Sequence, residues 1–192
     1  NVKGLIDQAR ASFDGLDYEN TVKALDSAIG ALEAQPNAEA RRLLPAAYDM
    51  RARSLFSLGK EAEARRDFTS LLKVEPGYVL TGQVSPRIIA LFEEVTKVTV
   101  TELRLTVTPP DAEVTLNGTR VPASGAFPIA VGDHTLSVSR IGYKQALHPF
   151  TAIAGEATVV ENLALERVSN LFRFLAAPAG VGILIDAISH AT

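Results

Sequence analysis

The chain has no cysteine and no tryptophan, one methionine and only three histidines in 192 residues. Without cysteine there is no disulfide, no thiolate metal site and no thiol nucleophile. The histidines, at 134, 148 and 190, are too scattered to mark a histidine metal cluster. Excess positive charge is missing as well: a net charge of -3 argues against a general nucleic-acid binder, which needs a basic surface. A clean run of 18 apolar residues is lacking too. The nearest candidate, 171–188, is interrupted by Arg173, Pro178 and Asp186, so no membrane span is expected. The sequence opens on Asn1 rather than Met, so any preceding signal segment or lipid anchor is not visible in it.

What is present suffices for a packed core, because 47% of the residues are hydrophobic and 21% charged. The charge is unevenly spread. Residues 1–100 hold 13 Lys/Arg and 14 Asp/Glu, leaving 6 and 8 for the remainder, which is richer in Val, Thr, Pro and Gly. The first part carries apolar residues at helical spacing and the second alternates as strands do. An α+β chain of two domains is therefore expected. Its parts are antiparallel helical hairpins over 1–98, a small antiparallel β-sandwich over 102–168, and a tail over 171–192.

In the helical part, Val2, Leu5, Ile6, Ala9 and Phe13 form a stripe that ends at Gly15. Asp17 is placed to cap a second helix with Val22, Leu25, Ala28 and Leu32 as its stripe and Pro36 as its stop. Asn37 opens a third segment, in which Pro45 predicts a break or kink because Leu44 before it resists helical dihedrals. The run from Ala47 to Phe56 ends at Gly59, a left-handed cap. A fourth helix carries Ala64, Phe68, Leu71 and Leu72 and stops before Pro76, and Ser85-Pro86 opens a fifth. The stretch 95–101 has no Gly, Pro or Ser, which predicts a fixed joint with Phe92, Val95 and Val98 packed on the sandwich.

The two hairpins coincide when shifted by 43 residues: Ala9, Phe13, Tyr18, Leu25 and Ala28 meet Ala52, Phe56, Glu61, Phe68 and Leu71. Over 2–97, and best over 46–76, the run Tyr48, Ala52, Gly59, Ala64, Phe68, Pro76 resembles a tetratricopeptide repeat. That family repeats every ~34 residues, and the excess falls between Pro36 and Pro45. The resemblance implies a groove lined by the first helix of each pair. Its candidate binding residues are Lys3, Ile6, Arg10 and Phe13, then Asp49, Arg53 and Phe56. Arg10 and Arg53 are equivalent under the shift, and arginine forks suit carboxylates. Phe13 and Phe56 have a competing reading as core residues.

In the second half, Leu103, Leu105 and Val107 alternate with Arg104, Thr106 and Thr108 as a half-buried strand. A further strand over 113–116 reaches Asn117-Gly118, a two-residue hairpin signal that accounts for Asn117-Gly118-Thr119 better than a glycosylation sequon does. More strands are predicted over 126–130, 134–140, 143–150 and 158–165, with His134 as a surface residue. The succession Pro109-Pro110-Asp111-Ala112, Val114, Leu116, Asn117-Gly118, Pro128-Ile129, Gly132-Asp133-His134 and Gly142-Tyr143 resembles a PEGA-type domain of bacterial envelope proteins. Pro110 and Asp111 stand where that motif has Glu and Gly. The motif residues are structural in that family, so the resemblance implies a sandwich and an envelope setting, not catalysis. The stretch 174–181 resembles 106–112, as if a second repeat began, and its apolar residues predict a hairpin-like element over 171–188 used in self-association.

No catalytic set is visible. Gly180-Val181-Gly182 lacks the third glycine and following helix of a dinucleotide loop, Gly59-Lys60 has no Walker spacing, and Asp186, Ser189 and His190 sit at a terminus. No cofactor or metal is expected. The reading is a non-enzymatic bacterial cell-envelope protein, periplasmic or surface-exposed. It binds a protein partner or peptide segment through the helical groove, with the sandwich as spacer or docking module. The alternative is envelope glycan or peptidoglycan binding by the sandwich, which offers Phe127, Tyr143 and Phe150 as its aromatics.

Overall fold

The computed structural model of the protein describes residues 1–168. The expected tail over 171–192, with its partial second repeat, lies outside the described residues. Five helices precede two β-sheets, so the fold is α+β with a helical N-terminal and a β C-terminal part.

Helix α1 spans Val2–Asp14 and α2 spans Tyr18–Ala34. Asp17 caps α2, accepting from the Asn20 N–H at 3.2 Å and the Asn20 amide at 2.7 Å; these bonds hold its carboxyl below the usual carboxylate range. Helix α3, Ala38–Ser57, is capped by Asn37, and α4 spans Glu61–Val74. Helix α5, Pro86–Thr99, opens as expected, with the Ser85 hydroxyl accepting from the Ile88 N–H and Pro86 in the first turn. Pro45 does not break α3. It costs one backbone hydrogen bond, but Leu44, Pro45, Ala47 and Tyr48 around it are all buried, and that burial outweighs the local rule.

The 43-residue repeat extends to backbone detail. Gly15 and Leu58 both have φ -81 and ψ 3 as C-caps, and Leu16 and Gly59 follow with φ 61 and φ 76. The Asp17 N–H donates to the Ser12 carbonyl at 2.8 Å and its equivalent, the Lys60 N–H, to Leu55 at 2.9 Å. Ala9, Leu25 and Ala28 are fully buried, as are Ala52, Phe68 and Leu71. Leu16 therefore occupies a left-handed position that its counterpart fills with glycine, and its side chain is 70% exposed. Leu16→Gly is expected to raise stability by about 0.5–1 kcal/mol and Gly59→Leu to lower it by about 1–2 kcal/mol. Urea midpoints check both; a destabilised Leu16→Gly would mean the two turns are not conformational equivalents.

The strands are β1 Val100–Thr108, β2 Glu113–Leu116, β3 Thr119–Val121, β4 Ser124–Ala130, β5 Gly132–Ser139, β6 Ala146–Ala152 and β7 Thr158–Ala164. They form a β4-β1-β7 sheet and a β3-β2-β5-β6 sheet. All neighbours are antiparallel except β1 and β7, so the expected wholly antiparallel sandwich carries one parallel pair. Strand β3 was not anticipated, and 143–145 lies outside the strands; Tyr143 instead makes an isolated bridge to Arg167. Asn117 and Gly118, at φ 48 and φ 80, make the predicted two-residue turn. Leu103, Leu105 and Val107 of β1 meet Val114, Leu136 and Val138 of the facing sheet in one core.

The joint is tighter than expected and built differently. Thr99 ends α5 and Val100 begins β1 with no residue between, and the Val131 N–H donates to the Thr99 carbonyl at 2.7 Å. Phe92 and Val95 pack into the helical core, not the sandwich, and Val98 is exposed. Each three-residue step turns the helix back by about 60°, so Val98 has drifted off the stripe.

Candidate functional site

The first helices of the two pairs do line a common cleft. It has a volume of about 420 Å³ and lies between Phe13 and Tyr18 of the first hairpin, Arg53 and Phe56 of α3, and the segment from Gln83 to Ile88. Phe13 and Tyr18 meet edge to face with ring centroids 6.0 Å apart. The Arg87 guanidinium lies 5.6 Å from the centre of the Phe56 ring, a cation–π contact at the cleft margin. Ser85, Arg87 and Ile88 bring the first turn of α5 to the same cleft, and a helix N-terminus carries a partial positive charge. Both readings of Phe56 hold at once, since it packs on the helical core and also lines the cleft.

The remaining members of the expected set divide. Lys3 and Arg10 are exposed and do not line the cleft, and Ile6 packs against the helical core. Asp49 is buried and bound to Arg53: the Arg53 Nε donates to Asp49 Oδ1 at 2.7 Å, and Nη2 lies 2.7 Å from Oδ2, a charge contact outside hydrogen-bond alignment. The Tyr78 hydroxyl donates to Asp49 at 3.1 Å, and Arg53 Nη1 donates to the Thr81 carbonyl at 3.1 Å. Burial pushes the Asp49 carboxyl up, against the Arg53 contacts that favour its charge, and it pushes the Tyr78 phenol up as well.

This corrects the expected pairing of Arg10 with Arg53 as ligand readers. The Arg53 fork is spent within the fold, where it anchors the segment that leads from α4 to α5. Its task is to hold one wall of the cleft. The residue that sequence reasoning missed is Arg87. Its signal was its place two residues after Ser85, where an exposed cation reinforces the positive end of a helix instead of opposing it.

On the sandwich, His134 is buried rather than exposed. Its Nε2–H donates to the Ala130 carbonyl at 2.7 Å, which leaves Nδ1 to accept from the Asn117 amide at 2.9 Å. Asn117 Oδ1 in turn accepts from the Thr135 N–H at 2.9 Å, so the ring locks the β2–β3 turn to β5. Phe127, Tyr143 and Phe150 all pack against the sandwich core. Phe127 and Phe150 remain partly accessible and each lines a surface pocket.

Among the described residues there is no group of three His, Cys, Asp or Glu side chains placed to hold a metal ion, and no helix is long and apolar enough to cross a membrane. No protein-family model matches the chain, and no curated protein matches it.

Proposed function

We propose that this chain is a non-enzymatic binding module that holds a peptide segment of a protein partner in the Phe13–Phe56 cleft. In this reading it joins a tetratricopeptide-like helical domain to a PEGA-type sandwich, which serves as spacer or docking module. The observation that carries the proposal is the composition of the cleft. Aromatic faces line it, while Arg87 and the first turn of α5 supply positive charge at one margin. The complementary ligand is a short acidic segment bearing one aromatic or large aliphatic side chain. The 43-residue backbone repeat supports the tetratricopeptide-like part, since such arrays present ligands to the surface lined by the first helix of each pair. Residence in a bacterial periplasm or on the cell surface follows from the resemblance of the β-domain alone.

Fluorescence anisotropy with a labelled acidic-aromatic octapeptide tests this. Arg87→Glu is expected to weaken binding by at least ~10-fold, because it removes one charge-assisted contact and adds a repulsion. Arg10→Ala should leave affinity unchanged, and binding should fall as salt rises. Equal affinity for a basic octapeptide, or an Arg87→Glu variant that binds as the parent does, would overturn the reading.

A further inference from the structure

A second, chemically different cavity lies where the helical part meets the sandwich. It measures about 230 Å³ and opens between the C-terminal end of α4 and the β2–β3 and β4 side of the sandwich. Leu116, Val121, Phe127 and Ile129 form its apolar floor, and Lys73 and Val74 form its lip. It lies beside the end of α4, which stops at Val74, ahead of Pro76 and three residues short of its repeat mate α2, whose counterpart would run on to residue 77.

Its walls are held in place on both sides. At Gly77 a Cβ would lie 3.3 Å from the Pro128 ring, so the turn after α4 sits directly on β4. At the other end the Val131–Thr99 hydrogen bond ties β4 and β5 to the end of α5. The cavity is thus preformed, not dependent on closure, as small-molecule sites commonly are.

The polar side chains on its lining are those of Lys73, Asn117, Thr119 and His134. His134 and Asn117 satisfy each other and their backbone neighbours. Lys73 is the single ionised Lys, Arg, Asp or Glu side chain on the lining, and it enters none of the ion pairs among the described residues. The carbonyl end of α4 offsets its charge only in part, being worth about half a unit.

We infer that this crevice is a binding site for a small amphipathic monocarboxylate, with its hydrocarbon portion on the Leu116–Ile129 floor and its carboxylate at Lys73. At about 30 Å³ for each water-sized group, the volume accepts roughly seven or eight non-hydrogen atoms, the size of a six-carbon acid. The site is separate from the peptide cleft and does not depend on it.

The test uses the full chain, hexanoate as probe and hexanol and hexylamine as controls, read by methyl chemical shifts and by calorimetry. Hexanoate is expected to shift the methyl signals of Leu116, Val121 and Ile129 and to bind more tightly than either control. Lys73→Gln should weaken hexanoate by roughly tenfold and leave hexanol unaffected. Val74→Trp, on an exposed helix end, should block the mouth and abolish both without lowering the thermal midpoint. No shift at these methyls up to about 10 mM hexanoate would overturn the inference. So would equal binding of hexanoate and hexanol, or indifference to Lys73→Gln.

Discussion

Replacing Arg51 by alanine is expected to lower the unfolding free energy by about 3–5 kcal/mol at neutral pH. Arg51 projects from α3 and grips both second helices. Its Nε and Nη2 donate to the two Asp67 oxygens of α4 at 2.7 Å each, and its Nη1 donates to Asp26 of α2 at 2.8 Å. The two arms differ in weight. Asp26 is solvent-exposed, so Asp26→Ala should cost less than about 1 kcal/mol, whereas Asp67 is buried and would be left as an unpaired charge. Burial already pushes the Asp67 carboxyl up, and Arg51 is the group that holds it down. An acid whose folded pKa lies above its unfolded value keeps its full stability below the unfolded value and loses it as pH rises through the folded one. The penalty of Arg51→Ala should therefore be largest near pH 7 and shrink toward pH 4. Guanidinium unfolding at both pH values reads this directly. The double variant Arg51→Met with Asp67→Leu should recover much of the loss; an equal penalty at both pH values would refute the assignment.

A loss of similar size is expected from Phe68→Ala, about 3–5 kcal/mol for the cavity and the lost contacts together. Phe68 is wholly buried in α4, and its ring meets Phe92 of α5 edge to face at 5.2 Å. This aromatic pair is worth about 0.5–1.5 kcal/mol beyond its area, and it couples the second hairpin to the helix that leads into β1. Phe92→Leu keeps most of the volume and should cost much less. Denaturant midpoints rank the variants, and a Phe68→Ala loss below about 1.5 kcal/mol would show that the surrounding helices collapse into the space.

Helix boundaries were legible because their signals are local. Asp17, Asn37 and Ser85 cap through atoms within three residues, and α2 and α4 end just before Pro36 and Pro76. The turn at Asn117-Gly118 was legible for the same reason. A break at Pro45 does not occur because its local penalty is set against burial on a face that a single proline cannot reveal. Alternation told which side of β1 faces inward, but carried no information on neighbours, so the parallel partner β7 was not foreseeable. The candidate site divides along the same line. Phe13 and Phe56 follow from the stripe and the repeat, and they do share the cleft. That Arg53 spends its charge on Asp49, and that Tyr78 joins them from 29 residues away, depends on tertiary placement that no spacing rule encodes. The burial of His134 was hidden for the same reason, since its partner Asn117 lies across the sheet.

The passage from Thr99 to Val100 without an intervening residue has a mechanical consequence. Helix α5 begins at the Phe13–Phe56 cleft and runs directly into β1, a helical segment of 14 residues, about 21 Å long. The covalent backbone thus joins the cleft to the first strand of the sandwich with no flexible residue between them.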